Sequence, residues 1–270
     1  MTAVLFEVQG NDFVPTPLAG SPWHPEVLHG GAPAGLLAHC LEQQVAGLQL
    51  LPARLSIDLI RPVPGTPLQV EVSPVRAGKR IALLQAKLTA GGSLVAVASG
   101  LFVKPEPLPL PAYAPRHQAT LPSPDGLDTV SFGDILFGQS GNPPPGLHTT
   151  VQLRPISGLD ETGRGSAWIR LPALVIDGQP NTPFMLAALA ADFGNGVGQL
   201  SLGDQVGTIN ADIQLHLGRL PQGEWIGLQS EALLDETGVG QVLTVLHDGG
   251  GRVGQVTQTI MPMRGFGGTN

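Results

Sequence analysis

The run Thr182-Pro183-Phe184-Met185-Leu186-Ala187-Ala188-Leu189-Ala190-Ala191-Asp192-Phe193-Gly194 opens with a hydroxyl residue able to cap a helix and a proline suited to the first helical position. It closes at a glycine that can end the helix. Between cap and Asp192 it carries no charge. A helix that is apolar on every side is stable only when other structure surrounds it. A second such segment stands earlier, Pro33-Ala34-Gly35-Leu36-Leu37-Ala38-His39-Cys40-Leu41. Here Pro33 takes the first helical position, and Ala34, Leu36, Leu37, Cys40 and Leu41 form a stripe at helical spacing.

Alternating strands follow each helix. Leu55, Ile57 and Leu59 alternate with Arg54, Ser56 and Asp58 up to Arg61-Pro62, the pattern of a half-buried strand. Residues 68–75 and 80–90 fit a hairpin turned at Ala77-Gly78-Lys79, and residues 93–103 return after Gly91-Gly92. The later half repeats this with strands at 212–217, 225–234, 240–247 and 253–262, the last entered through Gly249-Gly250-Gly251. One order of elements used twice predicts an internal duplication. Aligning the halves sets Pro33 on Pro183, Glu42 on Asp192, Arg61 on Arg219 and Ser99 on Gln258, and the position matching Asn210 is Pro52. Prolines crowd residues 105–145 and suppress both helix and central strand, so the expected units are 1–104 and 146–270 with a linker between. The second half holds extra residues around 194–207, where glycine is dense and a loop could line a site.

The chain has 270 residues, of which 13% are charged, and a mean hydropathy of +0.16, so a large share of its surface is buried within the fold or between subunits. Its net charge of −7 argues against nucleic acid or an anionic membrane surface as partner. Cys40 is the single cysteine, which excludes a disulfide framework and a cysteine-based zinc cluster, and fits a reducing, cytoplasmic setting. Residues 1–10 contain Glu7 and no basic leader and read as a first strand. Residues 88–103, the longest uncharged apolar stretch, are broken by Gly91-Gly92-Ser93 and are too short to span a membrane.

Four short motifs then combine: His29-Gly30-Gly31-Ala32-Pro33-Ala34 opening the first helix, Arg61-Pro62, Ala191-Asp192-Phe193-Gly194-Asn195-Gly196, and Gly223-Glu224-Trp225. Together they resemble the double-hotdog acyl-CoA thioesterases of the thioesterase II type over nearly the whole chain. The resemblance implies an α+β double hotdog, two tandem units each wrapping an antiparallel sheet around a central helix. It also implies an acyl-CoA substrate, no cofactor, and assembly into a homo-oligomer. Members of that family hold the attacking water with an aspartate, a threonine and a glutamine. Asp192 matches the aspartate and Gln258 the glutamine. Counting back from Arg219 puts Asn210 at the threonine position, and a one-gap alternative puts Thr208 there.

The residues support the same chemistry by themselves. Thioester hydrolysis needs a deprotonated or oriented water, a task for a carboxylate at the end of a buried helix. Amides of Asn and Gln fix water by hydrogen bonds, and main-chain N–H groups at a helix start stabilise an oxyanion. Gly30 and Gly31, with no side chain to block approach, suit that role, and His29 fixes their loop or serves as a base. Glu42 lacks amide partners in its own half and reads as a solvated helix-end charge, while Trp23 and Trp225 are expected in cores. Gly249-Gly250-Gly251-Arg252-Val253-Gly254 opens a strand and is a turn, no G-x-S-x-G elbow occurs, and the scattered histidines predict no metal site. Two other readings stay open: a non-catalytic acyl-thioester binder, and an enoyl-thioester hydratase, for which Asp212 and His216 lack the D-x-N-P-x-H spacing of hotdog hydratases.

Overall fold

The computed structural model describes residues 3–115, 118, 121–137, 143–203 and 206–264. A hairpin of β1 (Val4–Gln9) and β2 (Asp12–Pro15) precedes the first apolar helix, α1 (Gly31–Gln43). That helix begins two residues before Pro33, so the proline occupies its third position. The first four N–H groups of a helix have no intrahelical acceptor, and the missing proline N–H costs nothing there. Strand β3 (Leu51–Leu59) follows, then a meander of β4 (Leu68–Ala77), β5 (Ile81–Ala90) and β6 (Ser93–Val103) whose last strand pairs with β3. Within the proline-rich span lie a short strand β7 (Val130–Ser131) and a helix α2 (Phe132–Phe137), neither anticipated from the sequence.

The second half starts with α3 (Leu147–Thr150), β8 (Gln152–Gly158), β9 (Arg164–Arg170) and β10 (Leu174–Ile176). Helix α4 (Pro183–Asp192) comes next, with Thr182 accepting from the Met185 N–H as its cap at 3.2 Å, as its sequence predicts. A one-turn helix α5 (Gly194–Val197) leads into β11 (Val206–Asn210), β12 (Asp212–Leu217), β13 (Ile226–Leu234), β14 (Gly240–Asp248) and β15 (Gly251–Arg264).

All the strands join one sheet, ordered β10-β1-β2-β4-β5-β6-β3-β12-β15-β14-β13-β9-β8-β7, with β11 also on β15. The halves meet at the antiparallel pair β3–β12, where Ser56 lies opposite Gln214 and its hydroxyl donates to Gln214 Oε1 at 2.5 Å. The main-chain N–H of Arg61 bonds Val95 O, and that of Arg219 bonds Val253 O. The residue offset that superposes these two bonds also superposes Ser56 on Gln214, so a pseudo-two-fold axis passes between that pair. Ser99 faces Ser56, and Thr257 faces Gln214. Gln258 therefore corresponds to Gly100, one residue on from the Ser99 expected from the aligned sequence, because strand register rather than motif spacing sets the equivalence.

Helices α1 and α4 pack antiparallel in the middle. Leu36, Leu37 and Leu41 from α1 and Phe184, Met185 and Leu189 from α4 are all buried. Each such side chain contributes about 1.5–3 kcal/mol of burial, which is what the apolar composition of both helices, with one acid each near the C-terminus, secures. The expected core roles of Trp23 and Trp225 are not met. Trp23 is 40% exposed, and Trp225 is half-buried with the Arg154 guanidinium 4.2 Å above its ring. The fully buried tryptophan is Trp168 on β9, whose indole N–H donates to Pro122 O at 2.9 Å.

Candidate active site

Because the two central helices run antiparallel, the C-terminus of α4 lies beside the N-terminus of α1. Asp192, the last residue of α4, is 7% exposed. Its carboxylate rests against the first turn of α1 so closely that a Cβ on Gly30 would stand 2.6 Å from Oδ1. Only glycine admits this approach, and the positive end of the α1 dipole then faces the negative charge. His29 Nδ1 lies 2.8 Å from Asp192 Oδ2. The Gly31 N–H also points at that nitrogen, from 3.3 Å. The shorter contact decides the tautomer, with Nδ1–H donating to the carboxylate. The His29 ring stacks on Phe193 with centroids 4.6 Å apart, and Phe132 of α2 meets Phe193 edge-on.

On the other side, Asn210 Nδ2 donates to Asp192 Oδ1 at 3.1 Å. Thr208 does not approach the carboxylate. Its hydroxyl donates to Asn195 Oδ1 at 2.9 Å, and Asn195 Nδ2 returns a bond to Thr208 O at 3.0 Å. Gln258 is 1% exposed on β15, and its amide donates at 3.4 Å to the main-chain carbonyl of Asp192, not to the carboxylate. Its Oε1 has no hydrogen-bond partner among the described residues. His29, Gly30, Asp192 and Asn210 thus come together, with Gly31 opening α1 just after them, while Thr208 lines the same cavity without meeting the carboxylate and Gln258 stands behind.

This group forms one wall of a cavity of about 650 Å³ between the halves. Leu28, Leu59, Val63, Phe132, Ile209 and Met263 line much of the rest, with Ser21, His24, Arg61 and Thr208 adding polar groups. Asn195, Gly196 and Gln199 reach it from the glycine-dense segment after α4, as that composition suggested. Phe132 was not foreseen, since two isolated turns inside a proline-rich stretch give no periodic signal. Among the described residues no group of three His, Cys, Asp or Glu side chains is placed to hold a metal ion.

Glu42 occupies the mirror position, the C-terminus of α1 beside the N-terminus of α4. It is not the solvated charge expected from sequence. The Thr182 hydroxyl donates to its Oε2 at 2.6 Å, so the acid braces the cap of the opposite helix. Burial raises its pKa, which the Thr182 bond only partly offsets. Beside the His29 turn, His148 is fully buried. Burial and then the charge of His29 push it down to about 4, against weaker support from the carbonyls of Pro144 and Gly20.

Residues 19–103 match the acyl-CoA thioesterase N-terminal domain, and residues 117–261 match the corresponding C-terminal domain. No curated protein sequence matches the chain. Solved structures do. One from Thermobifida fusca, described provisionally as a thioesterase II, is 17% identical over 96% of this chain and 95% of its own, with a TM-score of 0.69. A hot dog fold protein of unknown function from Alicyclobacillus acidocaldarius is 17% identical over 96% and 95%, with a TM-score of 0.68. The acyl-CoA thioesterase II TesB2 of Mycobacterium marinum is 13% identical over 95% and 94%, with a TM-score of 0.65. Among the described residues no helix is long and apolar enough to cross a membrane. The two matched domains span most of the chain and the neighbours share its double-hotdog α+β architecture, so this chain belongs to the acyl-CoA thioesterase family of thioester hydrolases.

Proposed function

We propose that the chain hydrolyses acyl-CoA to free acid and CoA at the Asp192 site, with hotdog units at 1–104 and 146–270 joined by residues 105–145. The observation that carries the reading is the Asp192 carboxylate, fixed by His29 from one half and Asn210 from the other at an apolar cavity. In this reading Asp192 takes a proton from a water whose oxygen attacks the thioester carbonyl carbon. The main-chain N–H of Gly30, at the start of α1, stabilises the oxyanion as it forms. The C–S bond then breaks, the carbonyl re-forms, and the proton passes to the departing thiolate. Gln258 acts through the main chain of Asp192, as a positioning residue. Thr208, itself on the cavity wall, holds the Asn195 segment in place.

Thiol release measured over a panel of acyl-CoA chain lengths tests this, with hydrolysis of at least one ester expected. Saturable binding of acyl-CoA without thiol release would overturn it in favour of a binder. Hydration of an enoyl thioester without thiol release would favour the hydratase, although Asp212 is engaged elsewhere, by Gln214 Nε2 and the Thr259 N–H.

A further inference from the structure

The duplication has treated its two arginines differently. In the second half Arg219 forms a two-pronged ion pair with Asp248, whose side chain is 1% exposed. Asp248 also accepts from the main-chain N–H groups of Gln222 at 2.9 Å and Gly250 at 2.8 Å. Burial alone would raise the Asp248 carboxyl, but these bonds outweigh it and hold it below the ordinary value. The backbone bonds that equate Arg61 with Arg219 and Val95 with Val253 also equate Ala90 with Asp248 and Pro64 with Gln222. The first half therefore lacks both the carboxylate and one of the N–H groups that steadied it. Arg61 is exposed, has no ion-pair partner among the described residues, and is the one lysine or arginine on the wall of the cavity that Asp192 closes.

We propose that Arg61 is an anion-binding site at the cavity mouth that receives an oxyanion of the thioester substrate. Resting on the hydrolase reading above, this names how the substrate is oriented. A guanidinium left without its carboxylate partner presents a fork matched to phosphate or carboxylate. In a chain of net charge −7 it also supplies the local attraction that the overall charge denies to an anionic ligand. The anion is either a phosphate of the CoA carrier or a carboxylate at the far end of the acyl group.

The test compares kcat/KM for three thioesters of one acyl length: acyl-CoA, the phosphate-free acyl-N-acetylcysteamine ester, and its ω-carboxyacyl counterpart. Arg61→Gln is expected to lower the preference for acyl-CoA, or for the ω-carboxyacyl ester, over the plain ester by about tenfold. The arm that changes identifies the anion. Ala90→Asp, which rebuilds the partner of the other half, is expected to lower the same ratio. Arg219→Gln should lower Tm and leave the ratio alone. If Arg61→Gln moves neither ratio, the anion site is wrong even where hydrolysis is robust. If no thioester is hydrolysed, CoA binding by calorimetry still decides it: equal affinity of wild type and Arg61→Gln for CoA and for an ω-carboxyacyl thioether analogue overturns the site.

Discussion

His29 Nδ1 and Asp192 Oδ2 are 2.8 Å apart, and that contact ties the turn leading into the first central helix to the last residue of the second. The mirror contact, Thr182 to Glu42 at 2.6 Å, ties the other ends of the same helices. One pair borders the cavity and the other braces a helix cap. A symmetric scaffold thus carries an asymmetric site.

Removing the charge at Asp192 tests the base directly. Asp192→Asn keeps the shape and is expected to reduce thiol release by about 10²–10⁴-fold while Tm stays within a few degrees. Wild-type turnover in this variant would show that the site has been misassigned.

Gly30→Ala isolates geometry from charge. The added Cβ would meet the Asp192 carboxylate at 2.6 Å and force it aside. Alanine is an acceptable residue at a helix start, so folding should survive while kcat falls by about 10²-fold. Normal kcat would mean that the carboxylate need not occupy its observed position.

His29→Gln should lower kcat by about tenfold, through loss of a charge-assisted hydrogen bond worth about 1.5–3 kcal/mol. A change in KM alone would place His29 in substrate binding instead.

Glu42→Gln should leave thiol release close to wild type, since Pro52 and Gly100 give that half no amide beside the acid. The raised pKa of Glu42 means that the folded state holds its proton more tightly than the unfolded chain. Its contribution to stability is thus favourable at low pH and declines as pH rises from the ordinary carboxyl value through the raised one. Glu42→Gln should remove that slope and raise Tm at neutral pH. A loss of activity equal to that of Asp192→Asn would indicate two working sites.

His148 sets the acid limit. It is neutral when buried, with burial pushing its pKa down from the ordinary imidazole range to about 4. The unfolded chain binds the proton first, so stability is complete above the upper value and is lost as pH falls toward the lower one. Urea unfolding from pH 7 to pH 4 should show this loss, and His148→Gln should flatten that part of the profile.

Much of the architecture was legible in the residues. Two helices almost free of charge demanded enclosure, alternation marked the strands from Leu55 to Leu59 and from Asp212 to Leu217, and paired glycines marked their turns. Asp192 could be singled out because a carboxylate ending an apolar helix is costly without a purpose. What the sequence could not decide depended on which residues meet across the halves. Asn210 and Thr208 share one face of β11, so the ambiguity turned on which of them stands level with the carboxylate, and the structure brings Asn210 there. Gln258 carries no mark in sequence that its amide meets a main-chain carbonyl. Glu42 and Asp192 look like equivalent acids in the aligned halves. Only the antiparallel packing of α1 on α4 gives one a histidine and an asparagine at a cavity, and the other a threonine cap, because contacts between distant segments are set by tertiary packing and not by local pattern.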